Sequence, residues 1–122
     1  DRIQQVIGSL VANACEAMPQ GGSLYVSAST ATLTAENALK LTPGQYLHVI
    51  FKDTGNGIPQ KILPKIFDPY FSTKEMGRQK GMGLGLALCH SIIKSHKGHI
   101  LAESVPGEGT RIHIYLPLYH SN

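Results

Sequence analysis

One short run constrains the fold more than any other. In Leu47-His-Val-Ile-Phe-Lys-Asp53 the residues Leu47, Val49 and Phe51 alternate with His48, Ile50 and Lys52, and the same parity carries Asp53 to the apolar side. Period-two alternation marks a strand with one face in the core. A carboxylate on that face is costly unless it is hydrogen-bonded. Gly55 and Gly57 follow at once and open the backbone beside it. The inner face of this strand therefore ends in a polar corner. Read alone, the motif is more commonly a turn aspartate capping the next loop.

The remaining segments supply a frame for that strand. From Ile3 to Met18 the residues Ile3, Val6, Ile7, Leu10, Val11, Ala14 and Met18 recur at helical spacing, which predicts one core-facing stripe. Gln5, Ser9, Asn13 and Glu16 form a polar line on another side, and Pro19-Gln-Gly-Gly ends the helix. Leu24, Val26 and Ala28 read as a half-buried strand, and the polar stretch from Thr30 to Gly44 as a loop or ragged hairpin. A short helix is expected near Pro59 to Leu63 and a longer one from about Gly83 to Ser95. Strands are expected near His99 to Glu103 and Thr110 to Leu116, with Pro106-Gly-Glu-Gly as the turn between them. Without regular βαβ alternation, the best fit is an α+β two-layer sandwich, a mixed sheet with helices on one face.

A chain of 122 residues is about one domain, large enough to fold without disulfides or structural metals. A net charge of +3 with no cationic block gives no reason to expect a nucleic-acid partner and suits a phosphate-bearing small ligand. Cys15 and Cys89 both fall in apolar helical patterns and are expected as core thiols. No run of about 18 apolar residues is present, so this piece is expected to be a cytoplasmic domain with no direct membrane contact, whatever its parent does. Asp1 leads straight into a helix without an initiator Met, which reads as a fragment of a longer protein.

Three more motifs carry chemistry. Gly81-Met-Gly-Leu-Gly-Leu-Ala-Leu runs alternating glycines into a helix, exposing N–H groups and a dipole end suited to phosphate. It is neither a Walker loop nor a dinucleotide fingerprint, since it lacks Gly-Lys-Ser/Thr and no strand ends just before it. Thr110, after Gly107-Glu-Gly, shares parity with Ile112, Ile114 and Leu116, so a core-side hydroxyl needs a partner. Asn13, on the polar line of the first helix, offers an amide oxygen that could join a magnesium shell.

Taken in order, these elements resemble the catalytic ATP-binding domain of sensor histidine kinases, in the Bergerat-fold superfamily shared with gyrase and MutL. The resemblance covers essentially the whole of residues 1–122. It runs through an N box from Ser9 to Ala17, a G1 box from Asp53 to Gly57 and an F box from Phe67 to Phe71. A G2 box from Gly81 to Leu86 and the closing Gly107-Glu-Gly-Thr110 complete it. The resemblance implies that Asp53 accepts from the adenine amino group, with Gly55, Gly57 and Ile58 beside the base and Thr110 supporting it through water. It implies that Asn13 is the Mg2+ ligand and that Gly81, Gly83, Leu84 and Gly85 bring backbone amides to the triphosphate. Glu75 to Lys80 becomes an ATP lid, with Lys74, Arg78 and Lys80 as candidate phosphate contacts.

Two departures refine that expectation. Ser9 stands where the family's N box usually has its first asparagine, and where the ATPase branches commonly hold a water-activating glutamate, which argues for transfer over hydrolysis. The phosphoacceptor is absent. His48, His90, His96, His99, His113 and His120 are followed by Val, Ser, Lys, Ile, Ile and Ser, whereas the family's acceptor histidine is usually followed by an acidic residue. The histidines here are expected to be structural or surface groups. The implied partners are the parent's own dimerisation and phosphoacceptor hairpin and a response regulator, with a homodimeric parent. An anti-sigma-type serine kinase and a nonenzymatic nucleotide-binding module are the alternatives.

Overall fold

The computed structural model describes residues 2–68 and 82–118, with the backbone alone for 82–85. In chain order it contains α1 (Arg2–Ala17), β1 (Leu24–Leu33), β2 (Gly44–Asp53), a 3₁₀ turn (Leu63–Lys65), α2 (Met82–Ser95), β3 (His99–Val105) and β4 (Gly109–Pro117). The strands form one sheet in the order β1-β2-β4-β3. This is the α+β two-layer arrangement expected. All three ladders described are antiparallel, so the mixed character anticipated for the sheet is not seen in them.

The inner sheet face supplies Phe51, Ile100, Ile112 and Ile114, which pack against Val6 and Leu10 of α1 and Leu86, Cys89, Ile92 and Ile93 of α2. Ile58, Ile62 and Ile66, from the segment after β2, close the same core. The stripe on α1 is narrower than its periodicity suggests. Ile7 and Val11 are 46% and 36% exposed, because α1 meets α2 and the sheet along Val6, Leu10, Asn13, Ala14 and Ala17. Cys15 is also exposed, contrary to expectation, whereas Cys89 is buried.

Backbone pairing explains two differences at element ends. β1 continues through Thr30–Thr32 to Leu33 because these residues pair with Leu47, Tyr46, Gln45 and Gly44 of β2, and a ladder needs no apolar side chains. The hairpin loop is knotted by Asn37, whose amide donates to the carbonyls of Thr34 (2.7 Å) and Leu41 (2.9 Å) and accepts from Leu41 N (3.0 Å). The helix expected near Pro59 to Leu63 is instead a turn followed by the 3₁₀ segment. The expected compactness of the segment from Phe67 to Lys74 is described only as far as Asp68, and the expected lid from Glu75 to Lys80 lies outside the described residues.

α2 ends with Lys97 in the left-handed region (φ 62) and Gly98 N donating to Ile93 O (2.9 Å). Glycine normally takes the left-handed position of this motif. Here Gly98 is committed elsewhere, since a Cβ on it would lie 2.3 Å from Tyr115 O. Lys97→Gly is therefore expected to stabilise the domain by about 0.5–1 kcal/mol, as left-handed strain is relieved and partly offset by unfolded-state entropy. Urea denaturation checks this, and a lower midpoint in the variant would contradict it.

The outer sheet face carries a chain of histidines. His113 Nε2 lies 2.7 Å from Glu103 Oε1, and its Nδ1 lies 2.9 Å from His48 Nε2. His48 also stacks on Tyr115 at 4.2 Å. If His113 donates to the carboxylate, its Nδ1 accepts from His48, so each ring has one defined tautomer. His99 approaches Lys94 Nζ at 3.3 Å and His90 stacks on Phe67. These are structural roles; His120 lies outside the described residues.

Burial lowers His48 from the ordinary 6.5, helped by the charge of His113. Burial and then Lys94 lower His90 and His99, with His90 adding to the latter. Groups depressed in the folded state bind more protons when unfolded, so stability is lost as pH falls below 6.5 towards the folded values. The melting temperature is expected to drop between pH 7.5 and 5.5, with a shallower drop in His48→Gln. Parallel curves for the two proteins would exclude His48 as a contributor.

Candidate functional site

Asp53 ends β2 on the inner face and is 6% exposed. Its Oδ1 accepts from Gly55 N (2.9 Å) and Thr110 N (3.2 Å). The expected parity is thus realised, and the carboxylate is held from both sides by backbone. Oδ2 takes no hydrogen bond from the described residues, and none of their fully buried polar side-chain atoms lacks a partner. Oδ2 is therefore an acceptor open to whatever enters this corner.

The glycines beside it are required by close approach. A Cβ on Gly55 would lie 2.5 Å from Ala17 O, the last carbonyl of α1, which also accepts from Asn56 N at 3.3 Å. Gly57 has φ 77, and a Cβ there would lie 2.4 Å from Val105 O. The run from Asp53 to Ile58 is thus pressed between the end of α1 and the turn from β3 to β4. Ile58, 1% exposed, forms part of the core below.

Thr110 is 4% exposed, and its hydroxyl lies 3.0 Å from Ser104 Oγ. Ser104 Oγ also donates to Gly109 O (2.8 Å) and accepts from Ile58 N (2.7 Å), while Gln60 Nε2 donates to Ser104 O. One hydroxyl on β3 therefore joins β4 to the segment after β2. Sequence reasoning missed Ser104 by ending the strand at Glu103. The available signal was parity, since Ser104 follows Ile100 and Ala102 on the inner face as Asp53 follows Phe51.

Asn13 is 7% exposed on α1, one turn before Ala17. Glu16 is exposed. Ser9 is half-buried against α2, where its hydroxyl reaches the Cys89 thiol. Gly83, Leu84 and Gly85 form the first turn of α2. The first N–H groups of a helix have no partner within the helix itself. Asp53, Gly55, Gly57, Ile58 and Thr110 thus form one bonded or packed cluster, and Asn13 joins it through α1. Lys74, Arg78, Lys80, Gly81 and Phe71 lie outside the described residues.

A cavity of about 260 Å³ also touches Asp53 and Thr110, but Lys52, Glu103 and Arg111 place much of its lining on the outer sheet face, away from the helices. Among the described residues no helix is long and apolar enough to cross a membrane.

Residues 1–120 match the family described as histidine kinase-, DNA gyrase B- and HSP90-like ATPase. The chain is 41% identical over 121 residues to the sensor kinase CckA of Brucella abortus (strain 2308), covering 95% of the chain and 12% of that protein. It is likewise 41% identical over 118 residues to sporulation kinase C of Bacillus subtilis (strain 168), covering 97% of the chain and 24% of that protein. Among solved structures, the nucleotide-free catalytic domain of the histidine kinase ThkA superposes with a TM-score of 0.69 at 30% identity, covering 95% of this chain and 65% of that one. The chain spans between an eighth and a quarter of the two curated relatives. A carboxylate corner between the end of α1 and the sheet is thus set in a sequence matched almost end to end, and the chain belongs to the histidine kinase-, DNA gyrase B- and HSP90-like ATPase family, whose nucleotide is ATP.

Proposed function

We propose that residues 1–122 are the ATP-binding domain of a longer sensor kinase, and that it binds Mg2+–ATP and donates the γ-phosphate to a histidine on the parent's helical hairpin. The observation that carries this reading is the buried Asp53 carboxylate with Oδ1 saturated by two backbone N–H groups and Oδ2 open. An adenine amino group is a donor of the right kind for Oδ2, and Gly57 and Ile58 would flank the base. Thr110, held by Ser104, supports the ring through water.

At the other end Asn13 offers one hard oxygen. Among the described residues no cluster of three His, Cys, Asp or Glu side chains could hold a metal. That donor set fits Mg2+, which keeps several waters and takes its other oxygens from phosphates. Bound there, Mg2+ would neutralise charge on the phosphates. The backbone N–H groups of Gly83 and Gly85 would orient the triphosphate at the start of α2, as helix N-termini do for anions. Gly81, Lys74, Arg78 and Lys80 are assigned phosphate contacts on the same reading.

Transfer then breaks the bond from the β,γ-bridging oxygen to the γ-phosphorus and forms a phosphorus–nitrogen bond to the acceptor imidazole, which gives up its ring proton as ADP departs. Ser9 cannot act as a water-activating carboxylate, which favours transfer to an imidazole over hydrolysis. The aspartate of a response regulator would receive the phosphoryl group next, and the parent would act as a homodimer.

The test mixes this domain with the hairpin domain of its parent, Mg2+ and γ-labelled ATP. Acid-labile, base-stable label on the hairpin is the expected result. Acid-stable label on a partner's serine would point to a serine kinase, and ATP binding without any transfer would make the domain a nonenzymatic module.

A further inference from the structure

Cys89 and Ser9 are left over from the site just described, and both lie in the seam between its two helices. Apart from Asn13 of α1, its other described residues are apolar. Val6 and Leu10 of α1 face Leu86, Cys89 and Ile93 of α2, each at most 2% exposed. Within it the Cys89 thiol donates to Val6 O across 3.8 Å, and the Ser9 hydroxyl meets the same sulfur. Burial raises the thiol, so it remains an S–H donor at neutral pH.

A polar contact does something here that its apolar neighbours cannot. Burial of apolar surface is non-directional, whereas a hydrogen bond weakens steeply away from its preferred angle and so adds a directional constraint to the packing. The positions also matter. Ser9 lies one helical turn before Asn13 on α1, and Cys89 lies one turn after Gly85 on α2. A slide at this contact would therefore change where Asn13 stands relative to the amides that begin α2.

We infer that the Ser9–Cys89–Val6 contact sets the axial register of α1 on α2, making Ser9 and Cys89 positioning residues for the triphosphate. This rests on the Mg2+–ATP reading above. Ser9 acts through Cys89 and touches no phosphate. The adenine end is held by Gly55 and Thr110, and α1 is tied to the same corner where Ala17 O accepts from Asn56 N, so a change of register would be taken up by α2.

The test is calorimetry of the domain with adenosine and, separately, with Mg2+–ATP, in Ser9→Ala, Cys89→Ala, the double variant and Cys89→Ser. Adenosine should bind all five proteins alike. Mg2+–ATP should weaken about threefold to tenfold in each alanine variant, the range of one modest hydrogen bond. The double variant should be no weaker than either single one, because both remove the same contact. Cys89→Ser keeps a donor and should stay near the parent value. Adenosine and Mg2+–ATP weakening together would mean a merely structural role. Multiplying effects in the double variant would mean that Ser9 acts on the nucleotide by itself, and a Cys89→Ser variant as weak as Cys89→Ala would exclude the hydrogen bond; each overturns the inference. Binding of neither ligand by the unaltered domain would instead remove the functional reading beneath it.

Discussion

Asp53→Asn is expected to weaken ATP binding by roughly tenfold to a hundredfold, the equivalent of one hydrogen bond to a charged group. Asparagine retains an oxygen to accept from Gly55 N and Thr110 N, as Asp53 Oδ1 does. Its amide nitrogen then replaces Oδ2, so on the proposed reading a donor would face the adenine amino group. Calorimetry supplies the affinity and a thermal melt supplies the control, which should move by only a few degrees. Asp53→Ala should behave differently, because it also orphans two buried backbone donors at about 1–3 kcal/mol each. Equal affinity for ATP in Asp53→Asn and the parent would remove the adenine assignment. A melt as low as that of the alanine variant would show that the carboxylate is needed for folding.

The second large effect lies at the turn opposite. Gly109 has φ 104, and a Cβ on it would lie 2.1 Å from Asp53 O, a backbone atom that cannot step aside cheaply. Gly107 also has a positive φ (83), but nothing lies within 4 Å of its Cβ position. Gly107→Ala should therefore cost about 1–2 kcal/mol of backbone strain. Gly109→Ala adds an overpacking cost and should lose about 3–5 kcal/mol in all. Urea denaturation of the two variants separates strain from collision. Equal losses would mean that the β2–β4 contact relaxes without cost. ATP affinity in Gly109→Ala should fall as well, because the displaced carbonyl belongs to Asp53.

The parts of this molecule that can be read from sequence are those written in side-chain parity. Asp53 and Thr110 follow apolar residues at intervals of two, and both are found buried on the inner face. Periodicity also places α1 and α2. It overstates the stripe on α1, because it counts apolar residues and not neighbours, and Ile7 and Val11 have too few. What depends on register across strands is harder to read. Thr30–Thr32 extend β1 through backbone pairing alone. Ser104 meets Thr110 and Ile58 only once β3 is aligned with β4. His48, His113 and Glu103 sit on three different strands, so no spacing within one segment announces their contact.

The strand order β1-β2-β4-β3 makes both β2 and β4 interior strands. Asp53 and Thr110 are direct partners in the ladder between them. A slip of one residue in that ladder would send the slipped strand's side chains to the opposite face and part the carboxylate from the amide that holds it. On the proposed reading, bound adenine would therefore be a proofreader of the fold. A chain that retains the nucleotide would then have aligned its two central strands correctly, and a fluorescent ATP analogue could sort aligned from misaligned molecules in a refolding mixture before any melt is recorded.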